Sequence, residues 1–201
     1  MNHGRKLAAA LAALALVNAA AAATEADVRD TSYTAPDGTR VLELSVDIPA
    51  PVGDVWKAFA TSDGFASWAA PVASVDMRDG GMIESSYDRK AQIGAPGNIR
   101  NAIVLVVPER LIVMRNVQAP PKTSFDVPTF QKLNTVIGFA PLGPKATRVT
   151  LQNPGYGSGP LYDGVYAAFK GGNTWTFMKL KERFETGPVD WNAPPPATPA
   201  K

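Results

Sequence analysis

Few residues in this sequence could carry catalytic chemistry. The only histidine is His3, and there is no cysteine. His3 lies in an N-terminal segment that we expect to be removed, so the remaining chain cannot form a Ser-His-Asp triad, a Cys-His pair or the usual zinc ligands. The run GYGSG at 155–159 has neither the lysine of a phosphate-binding loop nor a dinucleotide-binding pattern, and it predicts a tight strand-to-helix connection. The sequence therefore predicts no catalytic residue, no metal site and no cofactor, and it favours a protein that is not an enzyme.

Acid–base chemistry would have to use ionisable side chains on the predicted strands. Glu84, Tyr87 and Asp88 lie on one strand, and Arg100 and Arg115 lie on two others. Because side chains alternate along a strand, Glu84 and Asp88 share one face and Tyr87 lies on the other. The pattern favours charges that face solvent or pair across strands, since long charged residues are rarely buried unpaired. In the alternative, Arg100 or Arg115 points inward and binds the carboxylate or phosphate of a ligand.

The elements that must position these side chains are mainly strands. Leu42, Leu44, Val46 and Ile48 alternate with polar residues, which is typical of a half-buried strand. Short turns rich in Gly, Asp and Pro join most of the later segments, and such connections indicate an antiparallel sheet. Seven strands are predicted, at 40–48, 72–78, 82–88, 98–107, 110–117, 131–140 and 148–153.

Helices are predicted at two places in the chain. After the first strand, apolar spacing indicates a short helix that begins at Pro51 and a second one from Asp63 to about Ala69. A long amphipathic helix is predicted at 160–186, with a kink or short break at Gly171-Gly172 because glycine lowers helix stability. The apolar face of the sheet needs a second layer, and only this last helix is long enough to supply it. The fold class is therefore α+β, with a curved antiparallel sheet around a long C-terminal helix.

The two ends of the chain are predicted to lie outside the domain. Arg5 and Lys6 precede an apolar run from Leu7 to Val17, and small residues follow up to Ala23. This order predicts a signal peptide at 1–23 that is cleaved near Ala23, and hence a periplasmic or secreted protein without stable membrane insertion. We further expect an irregular segment at 24–37, the domain at 38–191 and a disordered Pro- and Ala-rich tail at 192–201.

The charge balance argues against a nucleic-acid partner. Cleavage would remove Arg5 and Lys6 from the 20 Lys and Arg residues, which leaves 18, equal to the 18 Asp and Glu residues. A neutral chain gains little free energy from counterion release on binding phosphates. The pattern leaves the oligomeric state open.

Several motifs resemble a known family. They are VDIPAPVGDVWKAF (46–59), Trp68, RDGG (78–81), SYD (86–88), NIRN (98–101), PER (108–110), GYG (155–157) and GPVDW (187–191). Across about residues 38–191 the chain is similar to SRPBCC, START-related helix-grip proteins. The most similar branch is that of the C-terminal domain of heat-shock-chaperone ATPase activators, which is polyketide-cyclase-like, and within it an exported bacterial subgroup. The resemblance implies a hydrophobic cavity between the sheet and the long helix.

The resemblance leads to a hypothesis about ligand binding. We expect a small hydrophobic or amphipathic ligand in this cavity, because aromatic and apolar side chains line most small-molecule pockets. The predicted lining residues are Trp68, Tyr87, Arg100, Met114, Phe139, Phe169, Trp175 and Met178. Two alternatives remain: an enzyme similar to the cyclase or hydrolase members that uses Tyr, Arg and Glu, and an interaction module that regulates another protein.

Overall fold

The computed structural model describes residues 23–193, and within them the chain forms one antiparallel sheet and four α-helices. The strands are β1 (Arg29–Asp30), β2 (Tyr33–Thr34), β3 (Arg40–Ile48), β4 (Val72–Asp76), β5 (Met82–Ser86), β6 (Ile99–Val107), β7 (Leu111–Gln118), β8 (Thr135–Gly143) and β9 (Ala146–Tyr156). The helices are α1 (Val52–Ala60), α2 (Ser62–Ala66), α3 (Val127–Phe130) and α4 (Pro160–Glu185). Residues 1–22 of the predicted signal peptide and residues 194–201 of the predicted C-terminal tail lie outside the described residues.

The sheet runs in the order β1-β3-β9-β8-β7-β6-β5-β4, and β2 pairs with β3 beside β1. The seven longer strands are the seven predicted from the sequence, which confirms the α+β fold with a curved antiparallel sheet. The segment 24–37 differs from the expected irregular chain, because β1 and β2 pair with the edge of β3 through Arg29–Ser45 and Tyr33–Val41. Strands of two residues carry no periodic pattern that a sequence could reveal.

Two short helices lie between β3 and β4, as predicted. Pro51 stands directly before α1, and α1 buries Val55 and Phe59 in the core. The chain then turns at Thr61, whose hydroxyl oxygen accepts a hydrogen bond of 3.0 Å from the backbone N–H of Gly64. This cap satisfies one of the free N–H groups at the start of α2. Helix α2 contacts β4, and α1 contacts β8 and β9.

The long helix α4 packs on the inner face of β3 and β9. Its buried residues Val165, Phe177 and Leu180 belong to the same hydrophobic core as Leu44 and Val46 of β3. The predicted break at Gly171-Gly172 is wrong, since α4 is continuous through both glycines. Packing of the helix against the sheet stabilises it more than two glycines at about 1 kcal/mol each destabilise it. Within residues 23–193, no helix combines the length and the apolar character that crossing a membrane requires.

Candidate functional site: a cavity between the sheet and the long helix

A cavity of about 460 Å³ lies between the inner face of strands β5–β8 and helix α4. The end of α2 closes one side of this cavity, and the connection from β7 to β8 (residues 119–134) covers another. Alternate residues of each strand face the cavity because side chains alternate between the two faces of a sheet. The sheet wall is formed by Ile83 and Ser85 of β5, Ile99 and Asn101 of β6, Ile112 and Met114 of β7, and Ile137 of β8.

One face of α4 forms the opposite wall. Phe169, Asn173, Thr176 and Phe177 follow one another at spacings of four, three and one residues, which places them on the same side of the helix. Phe169 stacks on Phe130, with ring centroids 3.8 Å apart. This stack joins α4 to the segment that covers the cavity.

The turn that follows α2 contributes Trp68 to the cavity wall. Its side chain is 2% exposed, and its indole N–H donates a hydrogen bond of 2.8 Å to the backbone carbonyl of Ala58. The rings of Phe59 and Phe65 lie 4.7 and 5.5 Å from the Trp68 ring, measured between centroids. The hydrogen bond satisfies the polar group of a buried tryptophan, so the ring is held in one orientation at the cavity.

Tyr87 and Trp175 lie together at the mouth of the cavity. Their ring centroids are 6.1 Å apart in an edge-to-face arrangement. Tyr87 lines the cavity although 53% of its surface is exposed, and Trp175 is 38% exposed. Desolvation raises the pKa of the Tyr87 hydroxyl, which therefore keeps its proton at neutral pH. Tyr87 can donate a hydrogen bond there, but it does not act as an anion.

The pair Glu84 and Arg100 lies on the outer face of the sheet. The two residues are opposite each other in the register of β5 and β6, and Nε of Arg100 lies 3.1 Å from the Glu84 carboxylate. Burial alone would raise the pKa of Glu84, but hydrogen bonds from Asn98, the Gly94 N–H and Arg100 outweigh it and lower the pKa. Glu84 is therefore an ionised carboxylate that fixes the loop after β5 and does not face the cavity.

The structure places four of the eight predicted lining residues at the cavity: Trp68, Tyr87, Met114 and Phe169. The other four, Arg100, Phe139, Trp175 and Met178, are not among the lining residues. Arg100 pairs across strands with Glu84 and does not point inward to bind a ligand. Phe139 instead packs its ring against Trp56 and Phe59, with centroid distances of 5.4 and 5.0 Å.

Sequence reasoning missed the polar residues of the cavity, which include Ser85, Asn101, Asn116 and Asn173. Asn101 and Asn116 directly follow the two arginines whose orientation the sequence left open. Because Arg100 faces outward, alternation places Asn101 inward. The alternation of Arg100 and Asn101 is visible in the sequence. It predicts a cavity residue only once the concave face of the sheet is known. Among the described lining residues, Tyr87 and Lys122 are the ionisable ones, and both are exposed.

A curved antiparallel sheet that holds a long C-terminal helix in its hollow defines the helix-grip class of proteins. Residues 49–185 match the model of the family described as Activator of Hsp90 ATPase homolog 1-like protein. The match spans more than half of the chain, and the chain belongs to this family. The resemblance to SRPBCC proteins of this branch is thereby confirmed, while membership of an exported subgroup stays a prediction.

Solved structures of low sequence identity share the fold. The Aha1 dimer from Colwellia psychrerythraea has 14% identity and a TM-score of 0.57, over 73% of this chain and 97% of that one. Protein Ms6760 from Mycobacterium smegmatis has 18% identity and a TM-score of 0.55, over 81% and 100%. CalU16 from Micromonospora echinospora has 17% identity and a TM-score of 0.54, over 81% and 86%. A comparison with curated proteins gives no match.

Proposed function

We propose that the protein binds a small hydrophobic or amphipathic molecule in the cavity between the sheet and α4. The observation that carries this proposal is the cavity itself, whose volume of about 460 Å³ is bounded by aromatic and aliphatic side chains on both walls. Pockets of roughly 300–1,000 Å³ with mostly apolar walls and a few polar groups are typical of small-molecule sites. The stacked rings of Phe169 and Phe130 join α4 to the connection over the cavity, and such packing favours a preformed site.

The proposal of a binding protein is supported by the placement of the ionisable groups. An enzyme of the cyclase or hydrolase type would use Glu, Arg or Tyr in the cavity as acid or base. Glu84 and Arg100 pair with each other on the outer face of the sheet, so of these candidates only Tyr87 lines the cavity, without a carboxylate or guanidinium beside it among the described lining residues. The placement of these groups favours binding over proton transfer, and the role of a regulator of another protein rests on the family resemblance alone.

Export is part of the proposal. The segment order at 1–23, with basic residues, an apolar run and small residues, supports cleavage near Ala23 and a periplasmic or secreted protein. Cell fractionation and N-terminal sequencing of the mature protein test this directly. The result expected is a new N-terminus close to Thr24, and a chain that retains His3 would contradict it.

The test of ligand binding uses two methionines that differ in their position relative to the cavity. Met114 lines the cavity, and Met178 of α4 does not. Replacement by tryptophan adds the same bulk at both positions, so M114W fills the cavity and M178W is its matched control. A neutral, solvent-sensitive dye such as Nile red reports binding by its fluorescence.

We expect the dye to bind the wild type and M178W with similar affinity and to bind M114W at least about ten-fold more weakly, which is about 1.4 kcal/mol. Circular dichroism and thermal unfolding show whether both variants are folded. The proposal fails if the wild type binds neither the dye nor any molecule of a hydrophobic ligand set. It also fails if the folded M114W variant binds as well as the wild type.

A further inference from the structure

The amide orientation of Asn116 is determined by the backbone. Asn116 is 5% exposed and lies on β7 where the pairing with β6 is irregular. Its Nδ2 donates hydrogen bonds to the carbonyl oxygens of Gln118 (2.9 Å) and Arg100 (3.2 Å). Carbonyl oxygens can only accept, so these two contacts assign the amide nitrogen and oxygen of Asn116.

This assignment in turn orients Asn101. Nδ2 of Asn116 also lies 3.2 Å from Oδ1 of Asn101. The reverse orientation of the Asn101 amide would place two NH2 groups against each other, so the oxygen of Asn101 faces Asn116. Within residues 23–193 the Nδ2 group of Asn101 has no hydrogen-bond acceptor, and Asn101 lines the cavity. Two N–H hydrogens of a fixed amide are therefore available to a ligand.

A second unpaired donor lies beside Asn101. Ser85 is only 5% exposed and lines the cavity, and its hydroxyl has no hydrogen-bond partner among the described residues. In the register of β5 and β6, Ile83 is opposite Asn101 and Ser85 is opposite Ile99. Ser85 and Asn101 are thus diagonal neighbours on the same face, close enough to contact one small group together. A buried hydroxyl without a partner loses hydrogen-bond free energy unless a ligand or water supplies one.

The wall formed by α4 also carries a neutral polar group, and its amide orientation can be assigned from hydrogen-bond partners in the same way. Nδ2 of Asn153 donates to the carbonyl of Asn134 at 3.2 Å and to the Thr135 hydroxyl at 2.7 Å. Oδ1 of Asn153 accepts from Nδ2 of Asn173 at 3.3 Å. The carbonyl oxygen of the Asn173 side chain is therefore left as an acceptor on the α4 side of the cavity. Amides and hydroxyls provide the hydrogen bonds of the inner cavity.

Charge limits what can bind there. The ionisable lining residues of the described chain are Tyr87 and Lys122, both exposed. A carboxylate or phosphate placed deep in the cavity would lose its hydration without gaining a cation, which is strongly unfavourable. An uncharged oxygen loses much less hydration and is matched by the donors of Asn101 and Ser85.

We propose that Asn101 and Ser85 form a subsite for an uncharged acceptor oxygen, and that the ligand is a neutral apolar molecule with a carbonyl group, such as a ketone, ester or amide. This inference rests on the proposed function and narrows it to one ligand class. The carbonyl oxygen accepts hydrogen bonds from Nδ2 of Asn101 and from the Ser85 hydroxyl, and the apolar part lies against Phe169 and Met114.

The test compares hexanophenone with hexylbenzene, which differ by one carbonyl group, and with 4-pentylbenzoate, which is ionised. Each compound displaces Nile red from the full mature chain at pH 7.5. The variants are N101L, which removes the amide donor without adding a charge to the cavity, and S85A; the two N–H hydrogens of Asn116 keep their carbonyl acceptors in N101L. The matched control is S74A, since Ser74 of β4 is opposite the outward-facing Glu84 and does not line the cavity.

We expect N101L and S85A each to weaken hexanophenone binding by about five-fold, the effect of one hydrogen bond, and hexylbenzene binding by less than about two-fold. S74A changes neither affinity, and 4-pentylbenzoate binds the wild type at least about ten-fold more weakly than hexanophenone. The subsite is refuted if hexanophenone loses no affinity in the two variants or if the benzoate binds more tightly. Failure of both hexylbenzene and hexanophenone to displace the dye from the wild type would refute the proposed function itself.

Discussion

The indole N–H of Trp191 donates a hydrogen bond of 2.7 Å to the backbone carbonyl of Ala66, the last residue of α2. Next to this contact, the N–H of Val189 donates to the carbonyl of Ser67 at 2.9 Å. Arg183 near the end of α4 donates to the Ser67 hydroxyl at 2.9 Å. Hydrogen bonds therefore connect the segment that follows α4 to the end of α2 and the residue after it. This part of the chain closes one side of the cavity.

Replacement of Trp191 by phenylalanine tests the contribution of its hydrogen bond to Ala66. W191F keeps an aromatic ring but removes the donor to Ala66, so we expect the free energy of unfolding to fall by about 1 kcal/mol. The matched control is W175F, because the Trp175 indole N–H makes no hydrogen bond within the described residues. Urea denaturation measures both variants. Equal losses of stability in the two would show that the hydrogen bond to Ala66 contributes nothing.

The free energy of unfolding at acidic pH depends on Asp47. Hydrogen bonds from Arg148 and then Arg29, opposed by desolvation, lower the pKa of Asp47 from 3.8 to about 2. The unfolded chain, with the ordinary pKa, binds a proton first as the pH falls. The contribution of Asp47 is thus complete above about pH 4 and is lost as the pH falls towards 2.

The variant D47N isolates this contribution. We expect it to be less stable than the wild type by about 1 kcal/mol at neutral pH, since the pair is partly exposed and solvent screens it. The difference should shrink between about pH 4 and pH 2, as measured by unfolding at a series of pH values. A difference that does not change over this interval would mean that the pKa of Asp47 is not lowered by folding.

The glycines in the middle of α4 yield a prediction of increased stability. An added Cβ at Gly171 or Gly172 would meet no atom within 4 Å, and both residues are exposed. G171A and G172A should each raise the free energy of unfolding by about 0.5–1 kcal/mol, because alanine favours the helix. At Gly64 a Cβ would lie 2.2 Å from the carbonyl oxygen of Lys57, so G64A is the contrasting variant and should destabilise. Thermal unfolding that ranks G171A below the wild type would contradict the continuous helix.

Most of the fold could be predicted from the sequence because its long elements carry strong periodic patterns. The alternation of Leu42, Leu44, Val46 and Ile48 identified β3, and the same signal identified the other long strands. The break at Gly171 was wrong because local propensity is weaker than the packing of Phe177 and its neighbours on the sheet. Helix propensity therefore gives a wrong prediction where tertiary packing determines the backbone conformation.

The remaining differences lie in short elements. Helix α3 was missed because it has four residues and depends on Asp126, whose carboxylate accepts a hydrogen bond of 2.8 Å from the Thr129 N–H. The strand predicted at 131–140 begins at Thr135 in the structure, because a turn follows α3. Elements this short have no period from which to recognise them.

The candidate site could be predicted only in part. The sequence indicated which residues share a strand face but not which face is concave, and that choice separates Asn101 from Arg100. Phe130 was missed because it belongs to the connection over the cavity, where position depends on long-range contacts such as the stack on Phe169. Trp175 was placed on the correct helix, but its side chain lies at the mouth beside Tyr87 and does not line the cavity.

A neutral apolar ligand is proposed to occupy the space between the sheet and α4. NMR spectra of protein labelled with ¹³C at the methionine methyl groups can locate the ligand, because Met114 lines this space and Met82 and Met178 do not. With hexanophenone added to saturation, we predict a shifted Met114 methyl resonance with nuclear Overhauser contacts to the ligand, and no such contacts at Met82 or Met178. A bound ligand that leaves Met114 unchanged, or that contacts only Met178, would contradict the claim.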